Sequence, residues 1–158
     1  MIWEEDENDY SYLINLIKSL IMLYEGDPHN KKNQRATYDF FISNINTEIF
    51  FSKIYELVRL VTSMNKQNKK INKTLHKLLL HILRLFQLFC EGHFNEMQIY
   101  ISNQKNSKNS FDLVQAIANL SSSFLISEEN FKIIVQCFDT ISEFIQVIFF
   151  FFTLSKFY

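Results

Sequence analysis

The sequence predicts an all-α protein built from about seven helices that stack as a helical repeat. Its 158 residues include only two glycines and one proline, too few for the many tight turns that a β-sheet needs. Apolar residues recur at spacings of three and four along most of the chain, which is the period of an amphipathic helix. Short polar segments separate these apolar runs and set the expected ends of the helices.

Three helices are predicted in the first part of the chain. The first covers Tyr10 to Tyr24 and ends before Gly26-Asp27-Pro28, because glycine suits a left-handed C-terminal cap and proline cannot continue a helix. The second covers Lys31 to Ser43, and the third covers Glu48 to Met64. The residues of the first helix that are expected to face the core are Leu13, Leu16, Ile17, Leu20 and Leu23.

Four more helices are predicted after the lysine-rich segment 65–72. The clearest pattern covers Lys73 to Glu91, where leucine and phenylalanine form a wide apolar face. A short helix covers Asn95 to Asn103, and a sixth covers Phe111 to Phe124. Ser127 is expected to cap the start of the seventh. The inward face predicted for the seventh helix consists of Phe131, Ile134, Val135, Phe138, Ile141 and Ile145.

An internal repeat relates the first predicted helix to the fourth, with an offset of 66 residues. Apolar positions coincide, as they would between any two amphipathic helices. The pair Glu25-Gly26 also falls on Glu91-Gly92, so both glycines of the chain occupy one place in the repeat. Gln34 corresponds to Gln98 if a two-residue gap is allowed. The predicted unit is a helix, a glycine stop and a shorter helix that folds back, and such units stack into an α-solenoid.

Side chains capable of chemistry do not form a pattern typical of an active site. Cys90 and Cys137 lie within apolar helical patterns and are predicted to be reduced, buried thiols. Cys90 and His93 could be half of a zinc site, but no second pair at a matching spacing follows. The adjacent carboxylates Glu128 and Glu129 suit the start of a helix, and two glycines are too few for a phosphate-binding loop. We therefore predict no enzyme, no cofactor and no metal site.

The charge pattern gives no bulk argument for binding nucleic acid, since the formal net charge is −1. Lys66, Lys70, Lys73 and Lys77 would share one face of a continuous helix. That face is either a solvated surface or a contact for phosphoinositide headgroups or an acidic partner. The apolar stretch from Phe144 to Phe152 is shorter than the roughly 20 residues that cross a bilayer, so no membrane span is predicted.

The end of the fourth predicted helix contains the spaced motif Arg-x-x-Gln-x-x-Cys-Glu-x-His, between residues 84 and 93. A second run, Asp139 to Gln146, follows after a polar loop. Over residues 82–146 the sequence resembles the RIH-associated domain of inositol trisphosphate receptors and ryanodine receptors, the intracellular calcium-release channels. The residues on which this resemblance rests are Arg84, Phe86, Gln87, Phe89, Cys90, Glu91, Gly92, His93, Gln98, Glu143 and Gln146.

The resemblance implies an armadillo-like segment of the cytosolic regulatory solenoid of such a channel. Its partners would be neighbouring helical domains or subunits of the channel, and it would lie in the cytosol or on the cytosolic face of an endoplasmic-reticulum-type membrane. The pore and the inositol-phosphate pocket of the family lie outside the matched stretch, so no ligand or pore residue is carried over. A free-standing helical-repeat interaction module and a membrane-surface binder are the alternatives, and the type of channel stays open.

Three regions are expected from these observations. Residues 1–65 form a helical repeat region that more weakly resembles the stretch before the RIH-associated domain. Residues 73–146 form the RIH-associated-like domain. Residues 147–158 form a divergent apolar tail, where the family pattern has Gly-Pro-Cys, and an artificial end of the reading frame would explain this departure.

Structural roles are expected for the motif residues of the fourth helix. Phe86 and Phe89 would be anchors of the core, and Gly92 would stop the helix. The residues expected to form a polar stripe toward a neighbouring helix are Arg84, Gln87 and Glu91, because their spacing of three and four places them on one face.

Overall fold

The computed structural model describes the backbone of residues 7–26, 31–44, 46–104 and 109–154, and side chains between residues 11 and 146 of these ranges. The described residues form seven α-helices and no β-strand, so the predicted all-α fold is confirmed. The helices are α1 (Glu7–Glu25), α2 (Lys31–Ser43), α3 (Thr47–Lys66), α4 (Lys73–Cys90), α5 (Asn95–Ser102), α6 (Leu113–Ser123) and α7 (Glu128–Leu154).

Side-chain caps and one glycine set several helix ends. The Oδ1 atom of Asn72 accepts a hydrogen bond from the backbone N–H of Leu75 at 2.6 Å and starts α4. At the start of α7, Ser127 is the predicted cap, and its Oγ accepts from the N–H of Asn130 at 3.3 Å. Gly92 follows α4 with φ +72°, a left-handed conformation that glycine adopts without strain.

Helices three apart in the chain pack side by side. The helix α4 lies between α1 and α7, while α5 packs on α2 and α6 packs on α3. Within these pairs, contacts join corresponding parts of the two helices, so the two helices run parallel. Polar contacts that join three of these pairs include Glu25–Arg84, Arg35–Glu96 and Asn65–Ser123, at 2.8, 3.2 and 3.0 Å.

This pairing shows that the repeating unit has three helices. One unit comprises α1 to α3 and the next comprises α4 to α6, while α7 packs on α4 as α4 packs on α1. The helix, glycine stop and shorter helix of the predicted unit are present. Each unit also contains a third helix, α3 in the first and α6 in the second. The sequence comparison missed this third helix because it has no marker comparable to the Glu-Gly pair.

The core is centred on α4. Ten residues of this helix are buried, and Leu78, Leu79 and Leu83 are fully inaccessible to solvent. A cluster of aromatic rings lies where α2, α3, α4 and α5 meet, with neighbouring ring centroids about 5–6 Å apart. Its central members are Phe41, Phe51, Phe86, Phe89 and Tyr100.

The predicted inward face of α1 is partly wrong. Ile17 is buried as expected and Leu13 is partly buried, but Leu16, Leu20 and Leu23 are exposed. The helix is apolar over a wide arc, and it turns a neighbouring arc toward α4. The residues of α1 that are buried are Ile14, Ile17, Ile21 and Tyr24.

The predicted inward face of α7 is also wrong in part. Phe131, Val135 and Phe138 are exposed, while Ile134, Ile141 and Ile145 are partly buried. The helix packs on α4, α5 and α6 through one side only, and that side includes small and polar residues. The residues on the buried side are Ile133, Cys137, Thr140 and Phe144.

The four lysines of segment 66–77 do not share one helical face. The helix α3 ends at Lys66, Asn68 has φ +54°, and α4 begins at Lys73, so a turn interrupts the helix that the prediction required. No helix among the described residues is long and apolar enough to cross a membrane. In the predicted tail, the backbone continues α7 to Leu154, whereas the tail's side chains and residues 155–158 lie outside the described part.

Candidate functional site at the end of α4

The last carbonyl groups of α4 are bound by two buried glutamines. The last turn of a helix leaves carbonyl oxygens without partners inside the helix. The Nε2 group of Gln34 in α2 donates to the carbonyl oxygens of Leu88 and Glu91, at 2.9 and 2.7 Å. The Nε2 group of Gln98 in α5 donates to the carbonyl oxygen of Cys90 at 3.1 Å. Both glutamine side chains are only 1% exposed.

These glutamines are the pair that the sequence repeat aligned. Gln98 belongs to the same three-helix unit as α4, whereas Gln34 belongs to the unit before it. The end of α4 is therefore held by its own unit and by its neighbour. We call this set of contacts the α4 junction, formed by Gln34, Gln98 and the carbonyl groups of Leu88, Cys90 and Glu91.

Two residues of the predicted polar stripe bind helices on opposite sides of α4. The guanidinium group of Arg84 donates twice to Oε1 of Glu25 in α1, at 2.8 and 3.1 Å. Gln87 accepts at Oε1 from Nε2 of Gln136 in α7 at 2.7 Å. The side chain of Glu91 is exposed, and only its backbone carbonyl takes part in the junction. The structure thus places this stripe between two neighbours rather than against one.

Thr140 adds a further contact between α4 and α7. Its side chain is fully buried, and its Oγ1 lies 3.0 Å from the carbonyl oxygen of Leu83 and 2.7 Å from that of Gln136. Sequence reasoning included Thr140 in the family-like run but not among the site residues. Thr140 lies one helical turn from Cys137 and from Phe144, and this spacing could have indicated that it is buried. It was not recognised because the inward face of α7 was predicted wrongly.

The aromatic residues of the motif connect α4 to four other helices, α1, α2, α3 and α7. Phe86 and Phe89 are 1% and 4% exposed. The ring of Phe89 lies 5.4 Å from Tyr24 of α1 and 5.8 Å from Phe41 of α2, measured between centroids. The ring of Phe86 lies 6.3 Å from that of Phe144 in α7. Both phenylalanines therefore lie where an anchor of the core is expected.

Three buried acceptor oxygens near the junction have no hydrogen-bond partner: Oε1 of Gln98, Oε2 of Glu143 and Oε1 of Gln146. Burial raises the pKa of Glu143, and the negative charge of Glu91 raises it further. A hydrogen bond with Gln146 and the charge of His93 act in the opposite direction. Glu143 therefore holds a proton more readily than an exposed glutamate does.

The two cysteines are free and buried, which confirms the prediction of buried, reduced thiols. Burial raises the pKa of the Cys90 thiol well above its usual value, and Glu143 adds to this. Burial raises the pKa of Cys137 to about 12. Neither thiol forms a thiolate at neutral pH, so neither is a reactive nucleophile. Within the described ranges, no group of three or more His, Cys, Asp or Glu side chains could hold a metal ion.

An open apolar groove of about 700 Å³ lies beside the junction, between α1 and α3. Leu16 and Leu20 of α1 lie along one wall, and Ile49 and Phe50 of α3 lie on another. Phe86 and Phe89 are part of its floor. Two exposed leucines of α1, Leu16 and Leu20, thus border the groove, whereas Leu23 lies outside it.

Comparison with known proteins identifies the segment that contains α4 and Gln98. Residues 72–149 match the family model named RIH_assoc, described as RyR and IP3R Homology associated, where the abbreviations denote ryanodine and inositol trisphosphate receptors. No curated protein matches the chain. The matched segment begins at Asn72, the cap of α4, and extends into α7. Residues 72–149 are therefore similar to the RIH-associated domain, as the motif at the end of α4 predicted.

Proposed function

We propose that this chain is a coupling segment of the cytosolic regulatory solenoid of an intracellular calcium-release channel, without a pore or ligand pocket of its own. The observation that carries the proposal is the contact of Gln34 with the end of α4. Gln34 lies outside the RIH-associated segment and α4 is the first helix within it. The preceding repeat is therefore bonded directly into the domain.

A route for conformational change follows from the contacts of α4. A displacement of α1 or α2 acts on α4 through Glu25 and Gln34. A displacement of α4 acts on α7 through Gln136 and Thr140. Energetic coupling between distant sites requires contiguous packed and hydrogen-bonded elements of this kind. The partners in this role are the helical domains or subunits on either side in the channel.

The place of the chain in a channel is tested by sequencing the transcript from before Met1 to beyond Tyr158. We expect the reading frame to continue into segments that encode membrane-spanning helices. A spliced message that begins and ends with this chain would contradict the proposal, and a separate interaction module would then be the better account.

The coupling role is tested by hydrogen exchange on the isolated chain. We expect Gln34→Leu to increase amide exchange at the end of α4 and also in α7, because the bonds that hold α4 in place are lost. Arg35→Ala, the matched control, removes two exposed ion pairs next to Gln34 and should leave α7 unchanged. If Gln34→Leu increases amide exchange only in α1–α3, α4 does not transmit the change.

A free-standing interaction module is the second candidate function. The apolar groove of about 700 Å³ between α1 and α3 favours it, because exposed apolar surfaces of this kind bind other proteins. Co-purification of channel subunits with the tagged chain would support a separate partner or adaptor. A monomer that captures no channel subunit would count against this candidate.

A further inference from the structure

A second, polar groove follows the parallel helices α3 and α6, on a surface separate from the α4 junction. Its volume is about 530 Å³. Like ends of the two helices meet along it, since Tyr55 contacts Phe111 near one end and Asn65 bonds Ser123 near the other. The polar residues that line it include Tyr55, Arg59, Ser63, Lys66, Gln115 and Asn119.

The groove has an excess of positive charge. Arg59 and Lys66 line it, and neither forms an ion pair with a carboxylate of the described residues. The lining carboxylate is Asp112, and its Oδ1 already accepts from the N–H of Gln115 at 2.9 Å as the cap of α6. The guanidinium carbon of Arg59 lies 5.7 Å from the centroid of the Tyr55 ring, which holds it beside the groove by a cation–π contact.

The positive charge continues past the ends of the two helices. A smaller depression of about 330 Å³ lies there and is lined by Lys69, Lys70 and Ser123, among other polar residues. The cations therefore follow one another from Arg59 through Lys66 to the turn after α3. A ligand with negative charges spaced along its length would meet them in sequence.

The α6 wall offers amide groups to a peptide backbone. Gln115 and Asn119 are one turn apart, and Nε2 of Gln115 donates to Oδ1 of Asn119 at 3.2 Å. This bond orients the Asn119 side chain, whose Nδ2 group has no acceptor in the described part and can donate to a ligand carbonyl. From Tyr55 to Lys66 the helix rises about 16 Å, which is the length of about five residues of extended chain.

We propose that the groove between α3 and α6 binds an extended acidic peptide segment of a partner protein. Its carboxylates pair with Arg59, Lys66 and the lysines of the following turn, and its backbone bonds to the amides of α6. A chain fits this surface better than a bilayer does, because the amide groups line the inside of a groove that a flat membrane surface does not enter. The proposal does not depend on membership of a channel.

The test uses the full chain and a fluorescent, end-capped peptide of alternating Glu and Ser, with a Gln–Ser peptide of the same length as its neutral counterpart. Fluorescence anisotropy should show binding of the acidic peptide alone, weakened by added salt. Arg59→Gln and Lys66→Gln should each weaken binding by about fivefold. The control is the pair Lys31→Gln and Lys32→Gln on α2, which removes the same charge and should change the affinity less than about twofold.

Three results would overturn the proposal: equal binding of the neutral peptide, unchanged affinity after both groove substitutions, or an equal loss in the α2 control. Flotation with anionic vesicles separates the membrane alternative. If the chain binds vesicles through Arg59 and Lys66 but does not bind the peptide, the groove is a lipid-binding surface instead. Circular dichroism of each variant shows that the helices are intact.

Discussion

Gln34 bridges two units of the repeat, because its amide group binds the carbonyl oxygens of Leu88 and Glu91 at 2.9 and 2.7 Å while its own helix belongs to the preceding unit. Gln98 binds the carbonyl oxygen of Cys90 between them. The first helix of the RIH-associated segment therefore ends in a set of hydrogen bonds that the segment does not supply alone. The stability of this helix end should depend on the preceding unit.

Gln34→Leu should destabilise the protein by about 2–3 kcal/mol, because it leaves two carbonyl groups at the helix end without this donor. Urea unfolding monitored by circular dichroism measures the change. Arg35→Ala is the neighbouring control and should cost less than about 1 kcal/mol, since its ion pairs are exposed. If the two substitutions cost the same, the junction does not stabilise α4.

The sequence predicted the helices well because each is long or clearly bounded. The period of α4 and the cap Ser127 act locally, so they can be recognised in the sequence without knowledge of a packing partner. The alignment of Gln34 with Gln98 also marked residues that prove to share one role. Their common acceptor, the end of α4, could not be predicted, because it depends on how successive units stack.

The faces of α1 and α7 were less predictable for a physical reason. Both helices are apolar over more than one face, so three-and-four spacing fits several choices. Tertiary packing selects one of them, and in α7 it selects a face that contains Cys137 and Thr140 rather than Phe131 and Phe138. The contacts of Thr140 and Gln136 with α4 were missed for that reason.

Thr140→Val should cost about 1–2 kcal/mol, since valine keeps the shape but leaves the buried carbonyl of Leu83 without the hydroxyl donor. The loss should appear as faster amide exchange where α7 contacts α4. Ser142→Ala is the control, because that side chain is exposed on the same helix. Equal exchange in the valine variant and the wild type would remove Thr140 from the proposed route.

Glu143→Gln should stabilise the protein at pH 7 by about 1 kcal/mol, a rise in Tm of about 2–4 °C. The folded pKa of Glu143 is raised from 4.5 by burial, so the folded state binds the proton more tightly than the unfolded state. The contribution of this group to stability therefore falls as pH rises from 4.5 through the folded pKa. A neutral glutamine avoids that loss and can donate to one of the unpartnered acceptors beside it.

The measurement for Glu143 is Tm between pH 4.5 and pH 8 for the wild type and for the variant. The difference between them should grow as pH rises through the window. Glu128→Gln is the control, since that carboxylate is exposed at the start of α7. A constant difference across the range would contradict the assigned burial of Glu143.

His76 should change the stability of the protein with pH in the direction opposite to Glu143. Burial lowers its pKa from 6.5, although Glu129 acts to raise it. The unfolded state then binds the proton more tightly, so stability is lost as pH falls from 6.5 through the folded pKa. Its ring lies 6.3 Å from that of Phe124, and its Nε2 is buried without a partner.

His76→Phe should therefore remove part of the loss of stability below pH 6.5 and keep the contact with Phe124. The measurement is urea unfolding at pH 5.5 and pH 7.5, with the wild-type difference as reference. His81→Phe serves as the control on the same helix, because that ring already bonds the carbonyl oxygen of Lys77 at an exposed position. An unchanged pH dependence in the His76 variant would show that another group is responsible.

The buried face of α1 can be tested by comparing the loss of stability caused by substitutions at Ile21 and Leu23. Ile21 is 8% exposed and Leu23 is 64% exposed, although the spacing in the sequence predicted Leu23 as a core residue. Ile21→Asp buries an unpaired charge and should cost more than about 3 kcal/mol, whereas Leu23→Asp should cost less than about 1 kcal/mol. Thermal unfolding of both variants decides between the faces. If Leu23→Asp is the more damaging change, α1 packs on α4 through the leucine stripe, and the contact of Glu25 with Arg84 would need a different arrangement of the two helices.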